Sequence, residues 1–117
     1  MTETALTDLE RAVLGSAVER AGEFAAQLAA QLDAAEVVLR TPSGVGFVTK
    51  LTVPEMLVLA DQQAVVDLPT VRGVHPHLPA GAEFVLQIKG GRLNSIEAFC
   101  YEGMWPGDES LFQLNTS

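Results

Sequence analysis

Two consecutive glycines, Gly90 and Gly91, stand between two runs rich in apolar and β-branched residues, and no other feature restricts the fold as strongly. The runs are Ala82 to Ile88 and Leu93 to Tyr101, joined by Lys89-Gly90-Gly91-Arg92. Glycine adopts the positive φ angles that a tight hairpin turn demands, so the segment predicts an antiparallel hairpin. Its register stays open, because a bulge at one glycine shifts every partner by one residue. A second hairpin is read upstream. Glu36 to Arg40 holds the run Val37-Val38-Leu39, Thr41-Pro42-Ser43-Gly44 is a turn, and Val45 to Val53 alternates. Val45, Phe47, Thr49, Leu51 and Val53 share one side of the period-two count; Gly46, Val48, Lys50 and Thr52 share the other.

The N-terminal third follows a different period. Thr7-Asp8-Leu9-Glu10 is a capping box, in which threonine and glutamate satisfy each other's backbone N–H groups. Apolar residues then recur at Leu9, Val13, Ala17, Ala21, Phe24, Leu28 and Leu32, spacings of three and four that make one helical stripe. One long helix is expected, with Gly15 and Gly22 inside it as places of close packing. Pro54 to Leu68 has no single reading: Met56 to Ala60 is a short helix or a buried strand, and Val65-Val66 a further short strand. Pro69 to Gly81 holds three prolines and two glycines and reads as a long loop. Ser110 to Leu114 reads as an edge strand or a helical turn begun by Asp108. The sum is an α+β chain, residues 1–117 as one domain: one long N-terminal helix packed on an antiparallel sheet of four to six strands.

Charge narrows the partners. The net charge is −8, with seven acids against two arginines in residues 1–36 and five acids against two bases in residues 82–117. Binding of phosphate backbones needs a basic stripe, and none is present, so neither nucleic acid nor an anionic membrane is expected. No apolar run approaches the ~20 residues that span a bilayer. A single cysteine, Cys100, and an N-terminus without a signal-peptide pattern point to a reducing, cytoplasmic compartment.

Phe84 to Tyr101, with Gly90-Gly91-Arg92-Leu93 at its centre, followed by Gly103-Met104-Trp105-Pro106, resembles a hairpin-and-loop unit of small uncharacterised bacterial α+β proteins. In these a Gly-Arg-Leu hairpin precedes a Gly-x-Trp-Pro loop. The resemblance covers about a third of the chain and implies no activity.

Few residues invite a chemical reading. His75-Pro76-His77 offers two imidazoles two residues apart, the metal candidates of the chain, but a site needs a third and usually a fourth ligand. Glu97 sits between Ile96 and Ala98, either buried as an acid–base group or facing solvent opposite Arg92 or Lys50. Cys100, between Phe99 and Tyr101, lacks the cationic surroundings of a reactive thiol. Ser43-Gly44-Val45-Gly46 and Lys89-Gly90-Gly91-Arg92 lack the spacing of phosphate-binding loops. No catalytic residues and no cofactor are therefore assigned.

The binding candidates are Tyr101, Met104 and Trp105, large side chains on a loop at the end of a hairpin. Trp105 has a second reading, as a cap on one end of the core. The expected function is non-enzymatic protein interaction, immunity- or antitoxin-like, with the acidic surface facing a basic protein. The alternative is a small-molecule binder or enzyme with an apolar cavity between helix and sheet, bordered by Phe24, Leu28, Phe47, Leu51, Phe84 and Leu86. A homodimer through Leu111-Phe112-Gln113-Leu114 at a sheet edge is also expected.

Overall fold

The capping box at Thr7 forms as read. In the computed structural model, which describes residues 5–61 and 68–116, helix α1 spans Asp8–Val18. The Glu10 N–H donates to Thr7 Oγ1 (3.1 Å) and the Thr7 N–H to Glu10 Oε1 (2.9 Å). The helix then stops. Gly22 takes φ +63, a 3₁₀ turn covers Gly22–Phe24, and a second helix, α2, runs Ala25–Ala34. The expected single long helix is thus two helices packed on each other. Left-handed backbone costs most residues about 1–2 kcal/mol and glycine almost nothing, so the chain bends there. The apolar stripe survives the bend: Leu9, Val13, Ala17, Ala21 and Leu28 are all buried. Gly15 and Gly22 are not close-approach sites, since a Cβ at either would meet nothing within 4 Å.

Six strands make one antiparallel sheet. They are β1 (Glu36–Pro42), β2 (Gly46–Thr52), β3 (Val71–His75), β4 (Leu78–Lys89), β5 (Arg92–Cys100) and β6 (Gln113–Thr116), in spatial order β1-β2-β5-β4-β3-β6. The β4–β5 hairpin closes through Lys89 opposite Arg92, with Gly90 at φ +60 and Gly91 at φ +76, the two positive angles of a type I′ turn. The register shift comes not at the glycines but between Gln87 and Ile88, where Asn94 is the extra residue. β2 buries Phe47, Thr49 and Leu51, as its alternation predicts.

The loop expected over Pro69 to Gly81 is instead strand β3, a turn, and the start of β4. Each proline has a place compatible with a sheet, and Pro69 precedes β3. Pro76 lies in the turn between β3 and β4. Pro79 lies before Ala82, where pairing of β4 with β5 begins, so its missing N–H removes no bond to β5. Gly81, at φ +70, forms the bulge that lets Gly73 pair with Ala82 and His75 with Leu78. Within 54–61 only one 3₁₀ turn forms, Glu55–Leu57; the Val65-Val66 strand reading lies outside the described residues. Ser110 to Leu114 contains both expected features. Asp108 caps a 3₁₀ turn at Glu109–Leu111, and β6 follows as an edge strand paired with β3.

Both helices cover the same sheet face, and the molecule is a slab of 42 × 37 × 19 Å whose other face is bare among the described residues. One polar side chain fastens the layers. Gln31 on α2 is fully buried; its Nε2 donates to the carbonyls of Leu57 (2.9 Å) and Gly91 (3.0 Å), and its Oε1 accepts from the Leu93 N–H (2.9 Å). All its bonding capacity facing the core is used, so its burial carries little penalty. Among the described residues no helix is long and apolar enough to cross a membrane.

A candidate acidic groove beside Trp105

Thr49 is the polar residue in the buried phase of β2, and its environment explains it. Its hydroxyl donates to Glu10 Oε2 (2.5 Å), deep under the N-terminal turn of α1. Arg40 on β1 reaches the same carboxylate side-on, with Nε to Oε2 at 3.0 Å and Nη2 to Oε1 at 2.5 Å. Glu10 is fully buried, whereas Arg40 keeps 30% of its side chain exposed. Burial pushes the Glu10 carboxyl up. The bonds from Arg40, Thr49 and the Thr7 amide, with the charge of Arg40, outweigh that and hold it below the usual carboxylate range.

Trp105 sits on the neighbouring loop. Its backbone N–H donates to the Gly44 carbonyl (2.8 Å), pinning the loop to the β1–β2 turn. Its indole Nε1 donates to Glu109 Oε2 (2.8 Å). Ring centroids lie 5.5 Å from Phe47, 5.8 Å from Phe84 and 5.1 Å from Phe112, the first two edge-to-face. Gly46 must be glycine for this corner to close, because a Cβ there would stand 1.8 Å from the Ala98 carbonyl oxygen.

Around these groups runs a groove of three adjoining clefts, all bordered by Glu109. The largest, about 340 Å³, is lined by Thr7, Glu10, Arg40, Pro42, Gly46, Phe47, Trp105 and Glu109. The next, about 230 Å³, lies between Asp8 and Ser110, and the third, about 160 Å³, extends past Ala12 to Phe112 and Leu114. Asp8 is exposed and Glu109 half-exposed, so two carboxylates besides Glu10 face the groove. Asp108 adds a third beside it; the Ser110 hydroxyl (2.5 Å) and N–H (3.0 Å) donate to its Oδ1 and hold its carboxyl low.

No family model, curated protein or solved structure matches the chain. The groove therefore has to be read from its own chemistry.

The three binding candidates do not form one patch. Trp105 is half-buried, one side on the aromatic core and one on the groove. Met104 is 76% exposed. Tyr101 turns to the other side of the sheet, where it borders a cleft of about 280 Å³ with Arg72 and Glu83; a hydrogen bond to the Glu83 carboxylate pushes its phenol up. His75 is buried. Its Nδ1 accepts from the His77 N–H (3.0 Å), which leaves Nε2–H to donate to the Asp108 carbonyl (2.8 Å). Nε2 thus holds the segment that carries Glu109 and Nδ1 the turn between β3 and β4, and neither is left for a metal. Among the described residues no group of three or more His, Cys, Asp or Glu side chains converges on a metal-sized site. Glu97 is exposed on the bare face, and Cys100 is buried with its thiol 3.7 Å from the Gly103 carbonyl. Arg40, Glu109 and the second role of Glu10 escaped the sequence reading. The available signals were Thr49 in a buried phase and Glu109 four residues after Trp105.

Proposed function

We propose that this chain is a non-catalytic protein-interaction domain whose acidic groove takes a basic partner, in the manner of immunity and antitoxin-like proteins. The observation that carries this reading is the groove bordered throughout by Glu109, with Asp8 at its side and the Trp105 indole in its wall. A lysine or arginine side chain has two complementary surfaces there: carboxylate for its charge and aromatic ring for its stem. The net charge of −8 adds attraction at a distance, which raises association rates toward a basic protein. The residues named for a cavity between helices and sheet, Phe24, Leu28, Phe47, Leu51, Phe84 and Leu86, pack into the core, and of these only Phe47 borders the groove.

The chain has one tryptophan, so its fluorescence reports on the groove directly. A short arginine-rich peptide titrated at low ionic strength should shift the Trp105 emission, and salt should reverse the shift. An acidic peptide of equal length should have no effect. Glu109→Gln keeps an acceptor for the indole and removes the charge; it should weaken the response about tenfold, a typical worth of one partly buried charge contact. Equal responses from wild type and Glu109→Gln would remove the groove from the reading. A second reading rests on size, since about 340 Å³ lies at the small end of ligand pockets. It requires that a small molecule, rather than the peptide, shift the emission.

A further inference from the structure

The sheet face turned away from the helices differs in charge from the rest of the chain. Strand register puts Lys50, Arg72, Lys89 and Arg92 on it, four of the seven Lys and Arg residues. Against them stand Glu36, Glu83 and Glu97, of which Glu83 is 3.7 Å from Arg72. A chain of net charge −8 thus carries one broad face that is near neutral, with both signs interspersed. Between the charges the face carries five apolar side chains alongside Thr41, Thr52, Gln87, Ser95 and Gln113. Val48, Leu39 and Val74 are 36%, 56% and 62% exposed, and Val85 and Phe99 are half-buried at its centre. Antiparallel sheets tolerate one wet face, but that face then normally alternates to polar residues.

We infer that this bare face pairs with the same face of a second copy, giving a two-fold, sheet-on-sheet dimer. The charges identify the occupant. The excess acid lies on the rest of the chain, whereas here near-neutral meets near-neutral, and the three acids of one copy can face bases of the other. A basic partner is served by the groove, not by this face, which already carries a majority of the bases. The area suffices: six strands about 4.8 Å apart make a face roughly 29 Å across, and strands of about seven residues at ~3.3 Å each run roughly 24 Å, a flat area of roughly 700 Å² against the ~800 Å² per partner that a stable interface buries. Packed sheets stand about 10 Å apart with inner side chains interdigitated, which Val48, Val85 and Phe99 can supply. The groove lies on the helix side of the slab and stays open in such a dimer.

Light scattering on the eluting full chain at high micromolar concentration tests this. The expected mass is twice the 12.5 kDa of one chain. It should persist at high salt, where screening weakens repulsion between the acidic regions and leaves apolar contact intact. Leu39→Lys with Val48→Lys, both at exposed positions, should return the single-chain mass with an unchanged far-ultraviolet circular dichroism spectrum. Leu111→Lys, beside the β6 edge, should leave the dimer intact. A wild-type monomer overturns the inference. So does a dimer that survives Leu39→Lys with Val48→Lys, or one that Leu111→Lys splits, since either places the contact elsewhere. These outcomes are independent of the peptide titration.

Discussion

Replacing Trp105 by alanine tests how the groove and the core share one residue. The indole is half-buried and sits against Phe47, Phe84 and Phe112. Full removal of a buried tryptophan costs about 3–5 kcal/mol, so half-burial alone implies roughly 2. Its two edge-to-face contacts add about 0.5 kcal/mol or more each. The bond from Nε1 to Glu109 is partly solvated and adds at most about 1. The expected loss is therefore about 3 kcal/mol. At an m-value of roughly 1.5 kcal/mol/M, the urea midpoint followed by circular dichroism should fall by about 2 M. Trp105→Phe keeps a ring and loses the N–H, and should recover more than half of that loss. A midpoint shift for Trp105→Ala corresponding to less than about 1 kcal/mol would refute the packing argument and leave Trp105 a binding residue alone.

Gly15→Ala should stabilise the chain by up to ~1 kcal/mol, because it removes helix-interior glycine entropy and meets open space; Gly22→Ala should destabilise by about 1–2 kcal/mol, because φ is +63 there. Thermal or urea unfolding of the pair reads both signs, and a stabilised Gly22→Ala would contradict the helix break. For Glu10 the folded carboxyl titrates below its unfolded value of about 4.3, so its contribution is complete above that pH and is lost as pH falls toward the lowered folded value. Stability measured from neutral pH down to about pH 3 should fall less steeply in Glu10→Gln than in wild type; parallel curves would show that the Arg40–Thr49 network does not act through ionised Glu10.

Local chemistry that involves near neighbours was legible along the chain. The Thr7 capping box and the Gly90-Gly91 turn each join residues no more than four apart, so composition and spacing decide them. The β2 alternation was legible because one face of that strand is buried throughout. The break at Gly22 was not, since the apolar spacing runs through it undisturbed. Pro76 and Pro79 concealed β3 and the start of β4, because Pro76 falls in the turn between them and the compatibility of Pro79 depends on where pairing with β5 begins. The candidate site was less legible still: Glu10 meets Arg40 thirty residues away and Thr49 thirty-nine away. Trp105 could be named from its loop, but Glu109 took meaning only from the bond between them.

The sequence by itself determined the class of fold, the helix start, both hairpins and the acidic balance, because each depends on backbone preference, period or counted charge. The tertiary structure alone decided that the helix is two, that Thr49 and Glu10 are buried partners, and that four of seven bases lie on one bare face. Those facts depend on which strands become neighbours. Pairing between distant strands is fixed by summed burial over the whole core, a quantity that no local window contains.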